Sequence, residues 1–194
     1  MVAVVGWQPG FVLPFAGIDA SWWAGLYMGL ENDLQWGSEI VFTYGPLGFL
    51  RLPWLFFAGL SGSISFAWSA LLFVGLCVAL VATLRRRVNV WLAAAVTLLV
   101  VVQLDRLEVS TALAILAAML IIARPPGQRG MLLFAITAGA LAAAEMLVKL
   151  SSGPVIAIVL LLGLFGARAR WRDLLAFAAS FVIVGISCWL LAGQ

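Results

Sequence analysis

Glu145 and Lys149 stand four residues apart in the run AEMLVKLSSG, with the acid first, the favourable order for a pair on one helix face. Lys149 lies nearer the end of that run, which puts Glu145 about 6 Å deeper on a rise of about 1.5 Å per residue. If the run crosses a membrane, the acid must be paired or face a polar cavity, because an isolated charge there costs on the order of a few kcal/mol. Two uses fit: a pair that neutralises itself, or a lipid-phosphate site in which Lys149 meets the phosphate. Asp105 and Glu108, in QLDRLEVS, share one helical face if that helix continues, and by themselves read as a charged turn at a membrane exit. Asp19, in GIDASWWAGLY, precedes Trp22, Trp23 and Tyr27. The residue types there predict an N-cap aspartate, a surface helix from Ala20 to near Gly37, and an interfacial aromatic belt.

Other chemistry is excluded by composition. The chain of 194 residues has no histidine, so His-based general catalysis and His metal sites are absent. Cys77 and Cys188 both lie inside apolar runs and read as small core hydrophobes, with no CxxC spacing and no support for a disulfide. The sequence has no Gly-rich phosphate loop, GxSxG or HExxH. It is 65% hydrophobic and 10% charged, with a mean hydropathy of +1.16. Soluble domains are about half apolar and about a quarter charged, so this chain reads as a polytopic α-helical membrane protein. A net charge of +3 would admit nucleic acid, but the basic residues sit in short clusters between apolar runs. That pattern is topogenic, and no nucleic-acid partner is expected.

The elements that must position these residues follow from the uncharged runs. Residues 52–84 exceed one span of about 20 residues, which predicts an interfacial piece and then a span near 64–84. Further helices are expected over 88–104, 109–123, 130–150, 150–167 and 174–194, several of them short for a crossing. Gly59, Gly62, Gly75 and the Ala-rich LAAAV stretch are candidates for close helix packing. Residues 1–16 carry Pro9 and Pro14 and lack a basic start, so they read as the tail of a first span rather than a signal peptide.

The charges then orient the chain. Arg85 to Arg87, Arg124 and Arg129, and Arg168, Arg170 and Arg172 fall in alternate loops, which the positive-inside rule makes cytoplasmic. The opposite side collects Asp19, Glu31, Asp33, Glu39, Asp105 and Glu108. The expectation is one multi-pass domain of the plasma (inner) membrane over 1–194. It comprises a partial first span (1–16), an extracytoplasmic loop (17–53) carrying interfacial helices, and about six further spans or interfacial helices (54–194).

The stretch GIDASWWAGLYMGLENDLQWGSEIVFTYGPLGFL resembles the first extracytoplasmic loop of polyprenyl-phosphate-dependent glycosyltransferases of the GT-C superfamily, and more closely a bacterial branch of it. The matching elements are Asp19, Ser21 and Trp22, then Leu34 and Gly37, then Phe42, Thr43, Gly45, Pro46, Leu47 and Gly48; VKLSSG and LLAGQ are weaker echoes. GT-C loops often carry two adjacent acids, where this chain has Asp19 followed by Ala20. The resemblance implies a GT-C-like helical bundle of the cell envelope, here the amino-terminal part of a longer protein. It implies transfer of a sugar from a polyprenyl-phosphate donor in the bilayer, with Asp19 as catalytic base. It implies Asp105 and Glu108 as ligands of Mg²⁺ or Mn²⁺, whose hard oxygen preference they suit. Lys149, Arg106 and Arg51 are then the cations for the donor phosphate. The competing expectations are a non-catalytic scaffold or truncated member, with a partner membrane subunit completing the site, and a transporter. Against transport, the intramembrane charges are few and no repeated pair of discontinuous spans is visible.

Overall fold

The computed structural model describes residues 18–40, 43–51, 59–104, 108–123 and 130–192. The architecture is all-helical, and the described residues hold no strand, only two isolated bridges. The elements are α1 (Ile18–Glu31), a short 3-10 turn (Gly48–Arg51), α2 (Leu60–Leu84), α3 (Val90–Gln103), α4 (Val109–Ile122), α5 (Met131–Val148), α6 (Ser152–Gly166) and α7 (Trp171–Ala192). Three of the described helices, α2, α5 and α7, are long and apolar enough to cross a membrane. At about 1.5 Å per residue they reach roughly 27–38 Å, against a hydrocarbon core of about 30 Å. The apolar helices α3, α4 and α6 are shorter, at 14, 14 and 15 residues. Large aliphatic side chains face outward along the bundle, among them Leu71, Leu99, Leu133, Leu162 and Ile183. Lipid tails solvate such a surface, and water does not.

Glycines fix the directions of the helices. On α5, a Cβ at Gly139 would overlap the Phe177 carbonyl of α7, and one at Gly185 would lie 3.9 Å from Ala143. Ser180 donates a 2.8 Å hydrogen bond to the Ile136 carbonyl, so α5 and α7 run parallel in close contact. Gly163 seats on Ala118, and Gly166 packs on Ile122, so α4 and α6 are parallel too. The small face of α5 (Ala135, Ala138, Gly139, Ala142) lets the backbones approach, which is how helices associate where lipid is as apolar as leucine. The sequence pointed to other glycines. Among the described residues, nothing lies within 4 Å of where a Gly62 Cβ would stand, a Gly59 Cβ would meet only a Glu31 oxygen, and a Gly75 Cβ only Leu113.

These directions sort the loops. Trp68 of α2, Ser110 at the start of α4, and Glu145 near the end of α5 line one cavity, so they share one end of the bundle. Arg85 to Arg87, after α2, and Arg168 to Arg172, before α7, lie at the other end. Trp91 and Trp171, both largely exposed, open α3 and α7 at that same basic end, where an aromatic belt is expected. Trp68 does not belong to a belt; it is turned into the bundle.

Asp19 is the second residue of α1 rather than its cap, and α1 stops at Glu31 rather than near Gly37. The chain then turns through Asp33 (φ 50°) and Gly37 (φ 94°). The Gly37 amide donates to the Ile40 carbonyl, and the Glu39 carboxylate accepts from the Gln35 amide at 2.7 Å. The helix itself is closed at the left-handed Asp33, where the Leu34 amide returns to the Gly29 carbonyl at 3.0 Å.

Candidate functional site

The site is built where the loop meets the end of α5. A helix leaves its last four carbonyls without partners, and inside a bilayer no water can serve them. Here FTYGPLG supplies the donors: the Leu47 amide reaches the Leu147 carbonyl at 3.1 Å, and the Gly45 amide reaches the Val148 carbonyl at 3.3 Å. The Leu150 amide returns a 3.0 Å bond to the Thr43 carbonyl, and Tyr44 and Lys149 form an antiparallel bridge. Gly45 has no substitute here, because a Cβ would overlap the Leu147 carbonyl.

The following turn is anchored from both sides. Tyr27 of α1, fully buried, donates to the Phe49 carbonyl at 3.1 Å and meets the Phe49 ring edge-on. Ser65 of α2 donates toward the carbonyls of Phe49 and Leu50. Glu31 accepts from Ser61 at 3.4 Å, tying the end of α1 to the start of α2. Tyr27, Phe49, Leu50 and Val148 thus form a small core under the loop.

Arg51, the last residue of the turn, points into the bundle. Its Nη1 donates to Ser152 Oγ at 3.1 Å and lies 3.9 Å from Glu145 Oε2, with Glu145 only 2% exposed. Ser110 and Trp68 complete the polar lining around the carboxylate, together with Ser69. The cavity measures about 20 Å³, room for about one water. It does not admit a sugar or a phosphate.

Glu145 pairs with Arg51, not with Lys149. Lys149 closes α5 with an extended backbone (φ −149°, ψ 117°), which breaks the four-residue helical register. Its ammonium sits 5.1 Å above the Tyr44 ring instead. Arg51 is thus committed to a protein carboxylate, whereas Lys149 is half-buried at the loop surface. Glu108 is exposed at the start of α4, next to the Val109 and Ser110 that line the cavity. Asp105 and Arg106 lie outside the described residues, and so does the side chain of Asp19, whose backbone opens α1. Among the described residues no three acids or thiols gather into a metal-binding group. Cys77 and Cys188 are unbridged and half-buried in α2 and α7.

Sequence reasoning missed Tyr44, Ser110 and Ser152 as neighbours of these charges, and it missed the partner of Glu145. One signal was present: a carboxylate in a span demands a cation, and Arg51 is one of only three basic residues outside the basic loops. A scan against protein-family models, a search of curated proteins and a search of solved structures each find no match for this chain.

Proposed function

We propose that this chain is the amino-terminal membrane module of a GT-C-like glycosyltransferase that works at the extracytoplasmic face of the plasma membrane. In this reading Asp19 deprotonates the acceptor hydroxyl as it attacks the anomeric carbon of a polyprenyl-phosphate sugar. Lys149, on the loop surface, meets the departing phosphate. Asp105 and Glu108 hold a divalent ion, and Arg106 assists. One observation carries the proposal. FTYGPLGF and VKLSSG, segments on which the resemblance rests, are paired main chain to main chain at the acid-rich end of the bundle. A loop seated so firmly gives the carboxylate at its start a fixed footing, which general-base chemistry needs.

The test uses the protein in lipid nanodiscs with radiolabelled polyprenyl-phosphate glucose, mannose, galactose and arabinose, reading release of free polyprenyl phosphate. Asp19→Asn is expected to lower turnover by about 10²–10⁴-fold at unchanged folding. Turnover that survives Asp19→Asn removes Asp19 as base. No release from any donor leaves the scaffold reading, which the water-sized cavity and the closed Arg51–Glu145 pair favour.

A further inference from the structure

The cavity under the loop carries an inference that stands whether or not the chain transfers sugar. Its polar lining is Arg51, Trp68, Ser69, Ser110 and Glu145. Glu145 Oε2 is buried and makes no hydrogen bond among the described residues. The Arg51 Nη1 at 3.9 Å is too distant for one, since N–H···O bonds run about 2.7–3.2 Å. A carboxylate oxygen held in this way lacks a donor, and leaving it so costs about 1–3 kcal/mol or more.

Size and charge select what can supply that donor. On the measure for which one water needs about 10–15 Å³, the cavity offers about 20 Å³, enough for one water and too little for a hydrated ion or an organic group. A bare monovalent cation would fit by size, but the Arg51 guanidinium lines the same space and repels it. A neutral, water-sized donor and acceptor remains, and the Ser69 and Ser110 hydroxyls line the same space.

We propose that this cavity is a single-water site in which the water donates to Glu145 Oε2, and that the hydrated Arg51–Glu145 pair fastens residues 43–51 to the bundle. The pair joins the last residue of the loop to the last turn of α5. Its Ser152 arm reaches the first residue of α6, so one side chain ties three elements together.

Two measurements test it. A structure of the protein in nanodiscs, at a resolution that shows solvent, is expected to place one peak about 3 Å from Glu145 Oε2. A direct Arg51–Glu145 hydrogen bond with the cavity closed, or a dry cavity, overturns the water site. The fastening is read with Leu47→Cys, in a background where Cys77 and Cys188 are alanine, by the labelling rate of a membrane-impermeant maleimide. Arg51→Met or Glu145→Met alone is expected to raise that rate about tenfold or more, because each strands a buried charge. The double substitution strands no charge but also removes the fastening. Its rate is expected to fall below that of either single variant and to stay about threefold or more above the parent; a rate at the parent's level overturns the fastening. Single variants that fail to fold beside a well-folded double variant support the coupling equally. A double variant as labile as the two singles combined overturns the fastening.

Discussion

Two carboxylates in this protein are each 2% exposed, each with one oxygen that accepts no hydrogen bond among the described residues, and they are held in opposite ways. Asp173 sits in the first turn of α7, where its Oδ2 accepts a 3.0 Å bond from the Arg170 amide three residues earlier. It serves a donor that every helix start leaves open, and the amino-terminal end of the helix dipole favours its charge. Arg172, largely exposed, lies 3.8 Å from its other oxygen. Glu145 stands in the last turn of α5, where the dipole disfavours an anion, and its nearest basic neighbour in sequence turns away. Its partner comes from a distant loop. The same Arg51 reaches Ser152, 101 residues along the chain. One acid is held by its own helix, and the other holds the tertiary fold together.

The contrast can be broken by mutation. Glu145→Ala is expected to cost about 3–5 kcal/mol, since it strands the Arg51 guanidinium; thermal unfolding in nanodiscs checks it. A loss below that of Asp173→Ala would abolish the distinction. Gly45→Val should come next, at about 1–3 kcal/mol, because the side chain must push the loop off the Leu147 carbonyl. Its signature is faster hydrogen exchange at the Leu47 and Leu150 amides. Asp173→Ala should cost about 1 kcal/mol, confined to fraying of the start of α7, whereas Asp173→Asn should retain most of it. Tyr44→Leu should be mildest, at about 0.5–1 kcal/mol, removing the ring beneath Lys149 but none of the main-chain bonds. Lys149 labelling by an amine reagent should then rise while the Leu47 amide stays protected.

The same contrast explains what could be read in advance. Long uncharged runs bounded by arginines place helices within a few residues: 64–84 became Leu60–Leu84, 109–123 became Val109–Ile122, and 174–194 became Trp171–Ala192. The alternation of basic loops also agrees with the helix directions set by Gly139 and Gly163. Length, apolarity and charge are properties of a segment, so a segment reveals them. The seating of FTYGPLG on α5 is not such a property. Its bonds run between main-chain groups that every residue but proline carries, so no periodicity announces them. Glu145 and Lys149 misled for a related reason: four-residue spacing implies a pair only while the helix continues, and it ends at Val148. For Asp173, the string RARWRD was legible as topology, while its role as a cap depended on where α7 begins.

One consequence follows from how the loop is seated. Three amide-to-carbonyl bonds do the joining, and among the residues that make them only Gly45 is pressed against a neighbouring backbone. Positions 43 and 147 can therefore drift among amino acids, and 47 and 150 among all but proline, without unseating the loop, while a single inserted or deleted residue between Thr43 and Gly48 would shift every bond. The joint tolerates spelling changes and is intolerant of changes in count. Sequences that share this architecture should be recognisable by a fixed spacing around one glycine more than by shared letters.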